Sequence, residues 1–336
     1  MWTGSLYFKW RQLIATCTLV LSILTCIPRS VVADENGISV WLPGIYGSLA
    51  AAPQRPGWSL STVYYHTSVS DNGNAAASRE IEVGHLSKTV TAVGNVNLNA
   101  DANLGLVLPN YVFATSVLGG QAAAGVMIPF GENNTSVDGT LTIGKVSVTN
   151  SLSDSLFGNG DIFPQGSLRW NQGVNNFMVY GIADVPLGAY DSSRLSNIGV
   201  GHWAIDGGAG YTYLNPKSGL EASAVTGLTY NFENPSTDYQ SGVDWHLDWG
   251  LSQFFLSHQL QIGAVGYVYQ QLTADSGGAP VLGDFKSRVF GVGPQVGFVF
   301  PIGDLHGYLN LKGYKEFGAE NRAEGWNTWL TLSISE

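Results

Sequence analysis

The chain has 336 residues, of which 44% are hydrophobic, 43 are glycine and only 12% are charged, about half the charged content of an average soluble domain. The glycines follow no three-residue period, which excludes collagen, and the apolar content is too high for a disordered chain. Mean hydropathy is only +0.07, and no stretch after the N-terminus has about 18 consecutive apolar residues, which excludes a bundle of transmembrane helices.

The N-terminus has the organisation of a secretory signal peptide. Lys9 and Arg11 precede an apolar stretch over residues 13–27, and the small residues Val-Val-Ala follow at 31–33. We therefore predict a signal peptide over 1–33. The alternative, an N-terminal membrane anchor, requires a longer apolar stretch.

Removal of residues 1–33 changes the redox chemistry and the charge of the chain. Cys17 and Cys26 are its two cysteines, so the mature chain is expected to have no thiol or disulfide. The residues before Cys26 match a lipoprotein attachment site poorly. Three basic and no acidic side chains are removed, which moves the formal net charge from −10 to −13. A chain this acidic repels phosphate backbones, so nucleic acid is excluded as a partner.

Residues 34–57 form a separate segment of the mature chain. They show no alternation and contain Pro43, Pro53 and Pro56, and proline-rich segments do not pair as central strands. Two interpretations are open: the segment is a periplasmic tail, or it folds into the barrel as a plug.

Residues 58–336 alternate between apolar and polar side chains, which is the period of a β-strand. From Asn95 to Leu108, valine, alanine and leucine occupy one face, while asparagine, aspartate and glycine occupy most of the other. The same period returns over 219–232, 243–252 and 305–312, and a helix would mix the two classes on every face. The pattern predicts an all-β chain.

Strand length favours a membrane barrel over a soluble sandwich. Sandwich strands have about 5–6 residues, whereas a tilted strand that crosses a bilayer needs about 9–11, and the best segments here are that long. We predict a transmembrane antiparallel up-and-down β-barrel over 58–336 with about 14 strands, while 12 strands remain possible. The predicted strands are 58–67, 79–92, 95–108, 111–128, 140–149, 166–172, 176–187, 203–214, 219–231, 242–255, 259–271, 287–300, 305–315 and 326–334.

The connections between these strands alternate in length. Tight turns are predicted over 215–218, 256–258 and 301–304, and long polar loops over 231–241, 271–286 and 315–325. Bacterial outer-membrane barrels have short periplasmic turns and longer external loops, so both termini are expected in the periplasm. Two connections fit poorly, because 109–110 is short for an outer loop and 129–139 is long for an inner turn.

In such a barrel the apolar face contacts lipid and the polar face contacts the lumen. The candidate pore-lining residues are Asn97, Asn99, Asp101, Asn103, Glu221, Asp244, His246 and Asp248. A divalent metal between Asp244, His246 and Asp248 is the alternative, but side chains at i and i+2 are roughly 7 Å apart and converge poorly on one ion. We therefore expect a polar pore wall that favours neutral or cationic solutes, with no metal and no cofactor.

The acidic residues Asp275, Glu316, Glu320 and Glu324 are predicted to lie in outer loops. They are either simply solvated or bind divalent cations that bridge to lipopolysaccharide. No hydrolase, metalloprotease or phosphate-binding motif is present, so the chain is not expected to be an enzyme.

Residues 161–300 resemble the outer-membrane family "putative MetA-pathway of phenol degradation", also called SphA-like transporters. The residues that carry the resemblance are Pro186 to Asp191 (PLGAYD), Tyr211 to Pro216 (YTYLNP), Gly219 to Glu221 (GLE), Thr237 to Gly242 (TDYQSG), Gly266 to Asp275 (GYVYQQLTAD) and Gly293 to Gln295 (GPQ), with Trp41 to Gly44 (WLPG) and Pro56 to Trp58 (PGW) near the N-terminus. The resemblance implies an outer-membrane channel, distantly similar to fatty-acid transporter barrels and associated with aromatic catabolism. One departure is the C-terminus, Leu332 to Glu336, which lacks the usual final aromatic residue.

These features predict a passive outer-membrane channel for uptake or efflux of small aromatic or apolar molecules. Its expected partners are outer-membrane lipid, lipopolysaccharide and a small-molecule substrate. The alternative is a structural or adhesive surface barrel with a plugged lumen.

Overall fold

The computed structural model describes residues 40–73, 92–143, 146–277 and 286–336, and the regular structure of these residues is β-strand throughout. Within the same ranges, no helix is long and apolar enough to cross a membrane. The predicted signal peptide, and the strand predicted over 79–92 apart from its last residue, lie outside the described residues. The strands are β1 (Gly57–Gly73), β2 (Ala92–Val117), β3 (Gly120–Ile143), β4 (Val146–Asn159), β5 (Phe163–Gln172), β6 (Asn175–Asp184), β7 (Ala204–Leu214), β8 (Leu220–Asn231), β9 (Tyr239–Gln240), β10 (Asp244–Phe255), β11 (Leu260–Gln271), β12 (Ser276–Gly277), β13 (Arg288–Ile302), β14 (Leu305–Glu320) and β15 (Glu324–Ser335).

Among the described strands, twelve form one closed antiparallel barrel. Neighbours in the chain are neighbours in the ring, and β1 closes it by pairing with β15 from Ser59–Ser335 to Ser70–Glu324. β4 pairs with β3 beside the ring, and β9 pairs with β12 in a separate two-stranded sheet. Closure leaves no strand edge in the ring, as a sheet in hydrocarbon requires. The predicted all-β transmembrane up-and-down barrel is confirmed, with the alternative count of 12 strands rather than 14.

The count differs because β2 and β3 are single strands of 26 and 24 residues. The β2–β3 ladder is interrupted after Val107–Ile128 and resumes in the same register at Asn110–Gly125. Pro109 lies in this gap and has no N–H to donate, so the proline interrupts the ladder without turning the chain. The predicted turns at 109–110 and 129–139 are therefore wrong.

β4 and β5 follow one another along the same neighbouring strand, β3. β4 pairs with residues 130–143 of β3, and β5 pairs with residues 121–127 of the same strand. Residues 160–162 separate the two strands. The strand predicted over 140–149 is wrong, because β3 ends at Ile143 and β4 begins at Val146 in the opposite direction.

Side chains of the ring point alternately outward and into the lumen. Outward side chains are mostly apolar and exposed, for example 58% for Trp58, 50% for Leu251 and 43% for Leu330. Inward side chains such as Gln261 and Trp329 are buried. An exposed apolar belt around a closed barrel is what contact with lipid requires.

The tight turns lie at one end of the barrel, together with the start of β1 and the end of β15. Leu118 and Gly119 join β2 to β3 with positive φ angles of 49° and 75°. The turns predicted over 215–218, 256–258 and 301–304 lie at this end too, as does the start of β1. The predicted long loop over 315–325 is wrong, because β14 continues to Glu320 and β15 begins at Glu324.

Candidate functional site

The predicted pore-lining residues fall on two different surfaces. Glu221, Asp244, His246 and Asp248 point into the barrel, and each is at most 1% exposed. Asn97, Asn99, Asp101 and Asn103 point outward instead, and do not line the lumen.

The register of β1 and β2 shows why the second group points outward. Leu104 lies opposite the buried, inward Tyr65, so Asn103 lies on the other face. There Asn103 accepts a hydrogen bond from the hydroxyl of Tyr64, which is 49% exposed. In this part of β2 the apolar wall is the inner one. Alternation predicts two walls but does not say which of them faces inward.

Residues 40–56 occupy the lumen and are called the plug. They have no strand structure, and their backbone bonds instead to side chains of the barrel wall. Asp248 accepts hydrogen bonds from the N–H groups of Gly44 and Tyr46, both at 3.1 Å. Lys312 Nζ donates to the carbonyl oxygens of Gly44 at 2.6 Å and Tyr46 at 3.1 Å. Asp248 thus binds backbone N–H groups and Lys312 binds backbone carbonyl groups of the same segment, Gly44 to Tyr46. This pair of side chains is called the clamp.

Further contacts continue the attachment towards the tight-turn end. The N–H of Leu49 donates to Glu221 at 2.9 Å, and the N–H of Ala51 donates to Thr212 at 3.0 Å. Gln54 and Gln121 exchange two hydrogen bonds, of 3.0 and 2.7 Å. Wall side chains thus replace the water or strand partners that buried backbone groups need.

The side chain of Trp41 anchors the other end of the plug. Its ring stacks on His246 with a centroid distance of 3.6 Å and an interplanar angle of 12°. His246 Nε2 lies 2.9 Å from Asp206 Oδ2, which also accepts a hydrogen bond from Thr229. The imidazole is therefore fixed from one edge and covered on one face.

Replacing Trp41 with alanine is expected to detach this end of the plug. Burial of an indole is worth about 3–5 kcal/mol, so hydrogen exchange at the amides of residues 41–46 should accelerate by roughly 100-fold or more in W41A. Trp58→Ala is the matched control, because Trp58 is an outward residue of β1. Equal exchange rates in W41A and the unmodified protein would contradict the anchoring role.

Apolar plug residues pack against an aromatic part of the lumen. Val40 belongs to a buried cluster that contains six aromatic side chains of the wall, and Leu42 and Ile45 pack against this cluster. Tyr65 and Trp329 have ring centroids 4.4 Å apart, and Tyr267 and Tyr314 4.9 Å apart. The name aromatic cluster is used for the four rings of these two pairs, Tyr65, Tyr267, Tyr314 and Trp329.

Polar groups are set into the aromatic cluster. Tyr267 donates to Glu316 at 2.7 Å and accepts from Asn327 at 2.8 Å, and Asn327 accepts from Trp329 Nε1 at 3.1 Å. Glu316 is 4% exposed and faces inward on β14, so its predicted position in an outer loop is wrong. Inward and outward residues alternate along β14 up to Glu316. This alternation is the sequence signal that would have placed Glu316 on the inner face of a strand.

The lumen carries more negative than positive side chains. The buried carboxylates on strands of the ring are Asp184, Asp206, Glu221, Asp244, Asp248 and Glu316. Lys312 and Arg169 are buried basic residues of the wall, and Arg169 donates to the carbonyl oxygen of Ala50 in the plug. Such a wall disfavours anions.

Asp244, His246 and Asp248 have different partners and do not converge. Asp244 accepts from Asn231, His246 pairs with Asp206, and Asp248 belongs to the clamp. In the part of the chain that the structure describes, no group of three or more His, Cys, Asp or Glu residues is arranged to hold a metal ion.

Two loops at the end opposite the tight turns are held by carboxylates, the half-buried Asp275 and the buried Asp161. Asp275 accepts from the N–H of Gly242 at 2.8 Å and from Tyr239 and Gln271, which joins the β9 and β12 loops. Burial raises the pKa of the Asp275 carboxyl above its usual range, and these hydrogen bonds oppose the shift. Asp161 accepts from the N–H groups of Gly188 and Val200, which fixes the loop between β6 and β7.

Comparisons with known proteins agree with this architecture. Residues 86–332 match the model of a family described as "Putative MetA-pathway of phenol degradation". No curated protein sequence matches the chain. The fold is similar to the crystal structure of the COG4313 outer membrane channel from Pseudomonas putida F1, with a TM-score of 0.62 and 14% identity over 84% of this chain and 96% of that chain.

Two further solved structures are more distant. CdiB from Acinetobacter baumannii has a TM-score of 0.32 and 10% identity over 82% of this chain and 60% of that chain. OccK7 from Pseudomonas aeruginosa has a TM-score of 0.30 and 8% identity over 83% of this chain and 98% of that chain. Since the family match extends from residue 86 into β15 and covers most of the barrel, the chain belongs to the family of the "Putative MetA-pathway of phenol degradation".

Proposed function

We propose that the chain is a passive channel of the bacterial outer membrane for small apolar or aromatic molecules, and that the plug opens and closes it. The observation that carries the proposal is the plug itself. In the described part of the chain it is held in the lumen by hydrogen bonds and packing, all of them reversible. The family and the similarity to a solved outer membrane channel support a transport role.

The aromatic cluster supports the substrate class. Val40, Leu42 and Ile45 occupy a space lined by aromatic rings, and their withdrawal would leave that space open to an apolar solute. Glu316 and Asn327 lie within hydrogen-bond distance of Tyr267 there, so a ring that carries a hydroxyl group would find polar partners. The acidic lumen disfavours anions. A neutral phenol fits this environment better than a benzoate or a sugar phosphate.

Net flux through such a channel follows the concentration gradient in either direction. Nothing in the proposal requires catalysis by the chain, and the similarity of its fold to a solved outer membrane channel supports transport.

A second candidate function is a structural or adhesive surface barrel with a permanently closed lumen. The number of plug contacts favours it, since the clamp, Glu221, Thr212 and Gln121 all bond to the plug backbone. In that case the external loops would carry the function.

Solute uptake separates the two candidates. A porin-poor host that expresses the chain is expected to take up phenol at least several-fold faster than the empty host, with little change for glucose phosphate or benzoate. The matched control is the same barrel with the plug fixed by a disulfide between introduced cysteines at Ser48 and Ser252, whose hydroxyl oxygens are 2.6 Å apart. Uptake that is present but unaffected by this cross-link would reject gating by the plug. Absence of uptake for every solute would reject the channel in favour of the closed barrel.

A further inference from the structure

The outward polar residues of β2 belong to a larger surface that the channel function does not use. They lie in rows that cross β1 to β4, because paired residues share a face. One row contains Asp101, Asn134 and Ser155, and the next contains Asn99, Ser136 and Ser153. These six residues, together with Thr135 and Asp154, line an open depression of about 480 Å³. The surface formed by the six is called the polar wall.

The polar wall continues directly from the lipid-facing belt. Tyr64 and Phe130, exposed by 49% and 42%, lie on the outward face next to the row of Asn103 and Glu132. The rows of the polar wall follow on the side away from the tight turns. A molecule in contact with this wall therefore occupies the head-group layer of the leaflet whose acyl chains contact Tyr64 and Phe130.

The chemistry of the polar wall suits sugar hydroxyls. Asparagine amides donate and accept, serine hydroxyls do both, and Asp101 accepts, which matches groups that are themselves donors and acceptors. Trp326, 45% exposed, continues the row of Asp101 through Ser68, and Phe157, 75% exposed, lies in the adjoining row beside Glu132. Both offer apolar faces on which a sugar ring can pack.

The charge of the surface argues against recognition of phosphate. Among outward residues described in β2, β3 and β4, Asp101, Glu132 and Asp138 are acidic and none is lysine or arginine. The guanidinium of Arg194 does reach this region, but it is paired with the Asp154 carboxylate and the carbonyl oxygen of Ser155. Phosphate recognition in proteins relies on those basic side chains. The wall therefore selects the hydroxyl-rich part of a head group rather than its phosphates.

We propose that the polar wall binds the core saccharide of lipopolysaccharide in the outer leaflet. The depression is open to solvent, so a saccharide would lie against the surface rather than be enclosed by it. The inference shares only the outer-membrane location with the proposed function. It assigns a role to Asn99 and Asp101 that does not involve the lumen.

Binding of purified lipopolysaccharide to the detergent-solubilised barrel tests this proposal. Lipopolysaccharide with a complete core is expected to bind about tenfold more tightly than lipid A without core sugars. The triple variant N99A/N134A/S153A should lose that difference, since several hydrogen bonds are removed. Thr140→Ala with Thr149→Ala is the matched control, because this hydrogen-bonded outward pair lies on β3 and β4 outside the depression. Equal affinity of the unmodified barrel for both lipids would overturn the proposal.

A competition experiment covers the case in which the triple variant does not fold. Lipid-free core oligosaccharide should displace complete lipopolysaccharide from the unmodified barrel, and failure to compete at a hundredfold excess would overturn the proposal. Equal competition by maltoheptaose would also overturn it, because the wall would then be a general glycan surface. Phenol uptake is measured in the same variants. It should be unchanged, so failure of this inference is distinguishable from failure of the channel.

Discussion

Deletion of residues 40–56 is expected to convert the barrel into an open pore. The plug bonds to the clamp and packs against the aromatic cluster inside the lumen, so its removal should raise mean single-channel conductance in planar bilayers by about tenfold or more. The open pore should also prefer cations, because Asp206, Glu221, Asp248 and Glu316 would line it against Lys312 and Arg169.

The ring itself should survive this deletion, since its strands pair with one another and not with the plug. Heat-modifiable migration on a gel, together with protease resistance, shows whether the deleted protein is folded. A folded barrel whose conductance equals that of the full chain would show that residues 40–56 do not close the pore. An open pore that preferred anions would contradict the electrostatic assignment.

Replacing Lys312 with methionine is expected to open the channel without removing any of the plug. The change keeps most of the side-chain volume but removes the charged donor to the carbonyl oxygens of Gly44 and Tyr46. A hydrogen bond to a charged group contributes about 1.5–3 kcal/mol, so the open fraction should rise by roughly 10- to 100-fold. Open probability in single-channel records measures this directly.

Lys315→Met is the matched control for the clamp. Lys315 is on the same strand but opposite Trp326 on the outward face, and its Nζ donates to the carbonyl oxygen of Gly325. It should leave open probability unchanged. Asp248→Asn should reproduce the effect of K312M, because an amide oxygen accepts more weakly than the carboxylate that holds the N–H groups of Gly44 and Tyr46. If K312M and K315M behaved alike, the clamp would have no role in closure.

The positions of the strands could be predicted from the sequence better than the direction in which their polar faces point. The alternation around His246 and Asp248 fixes both a strand and a polar face, and the structure places that face inward. The identical alternation around Asn99 and Asp101 fixes a strand whose polar face is outward. The difference arises because part of β2 lies beyond the lipid-facing belt, where the outward wall no longer needs to be apolar. Alternation in the sequence identifies the two faces of a strand. The medium around that part of the barrel determines which face is polar.

Other differences come from contacts that are remote in sequence. Pro109 has the local signature of a turn, but β1 pairs with β2 on its other edge through Leu60–Pro109, and the strand continues. The plug was one of two interpretations for residues 34–57. Its position depends on Asp248 and Lys312, which are more than 200 residues away in the chain, as the separations of 204 and 268 show. A local pattern does not contain such pairings.

The covalent link between the plug and β1 at Gly57 has a kinetic consequence. Plug and pore belong to one chain, so closure is a unimolecular step whose effective concentration is in the millimolar range or higher for so short a tether. The fraction of closed channels is then independent of how many copies a cell makes. Loops of about ten residues close within roughly 10–100 ns, so a released plug returns to its site quickly. A solute bound in the aromatic cluster would compete with the plug for this site and would keep the channel open for longer.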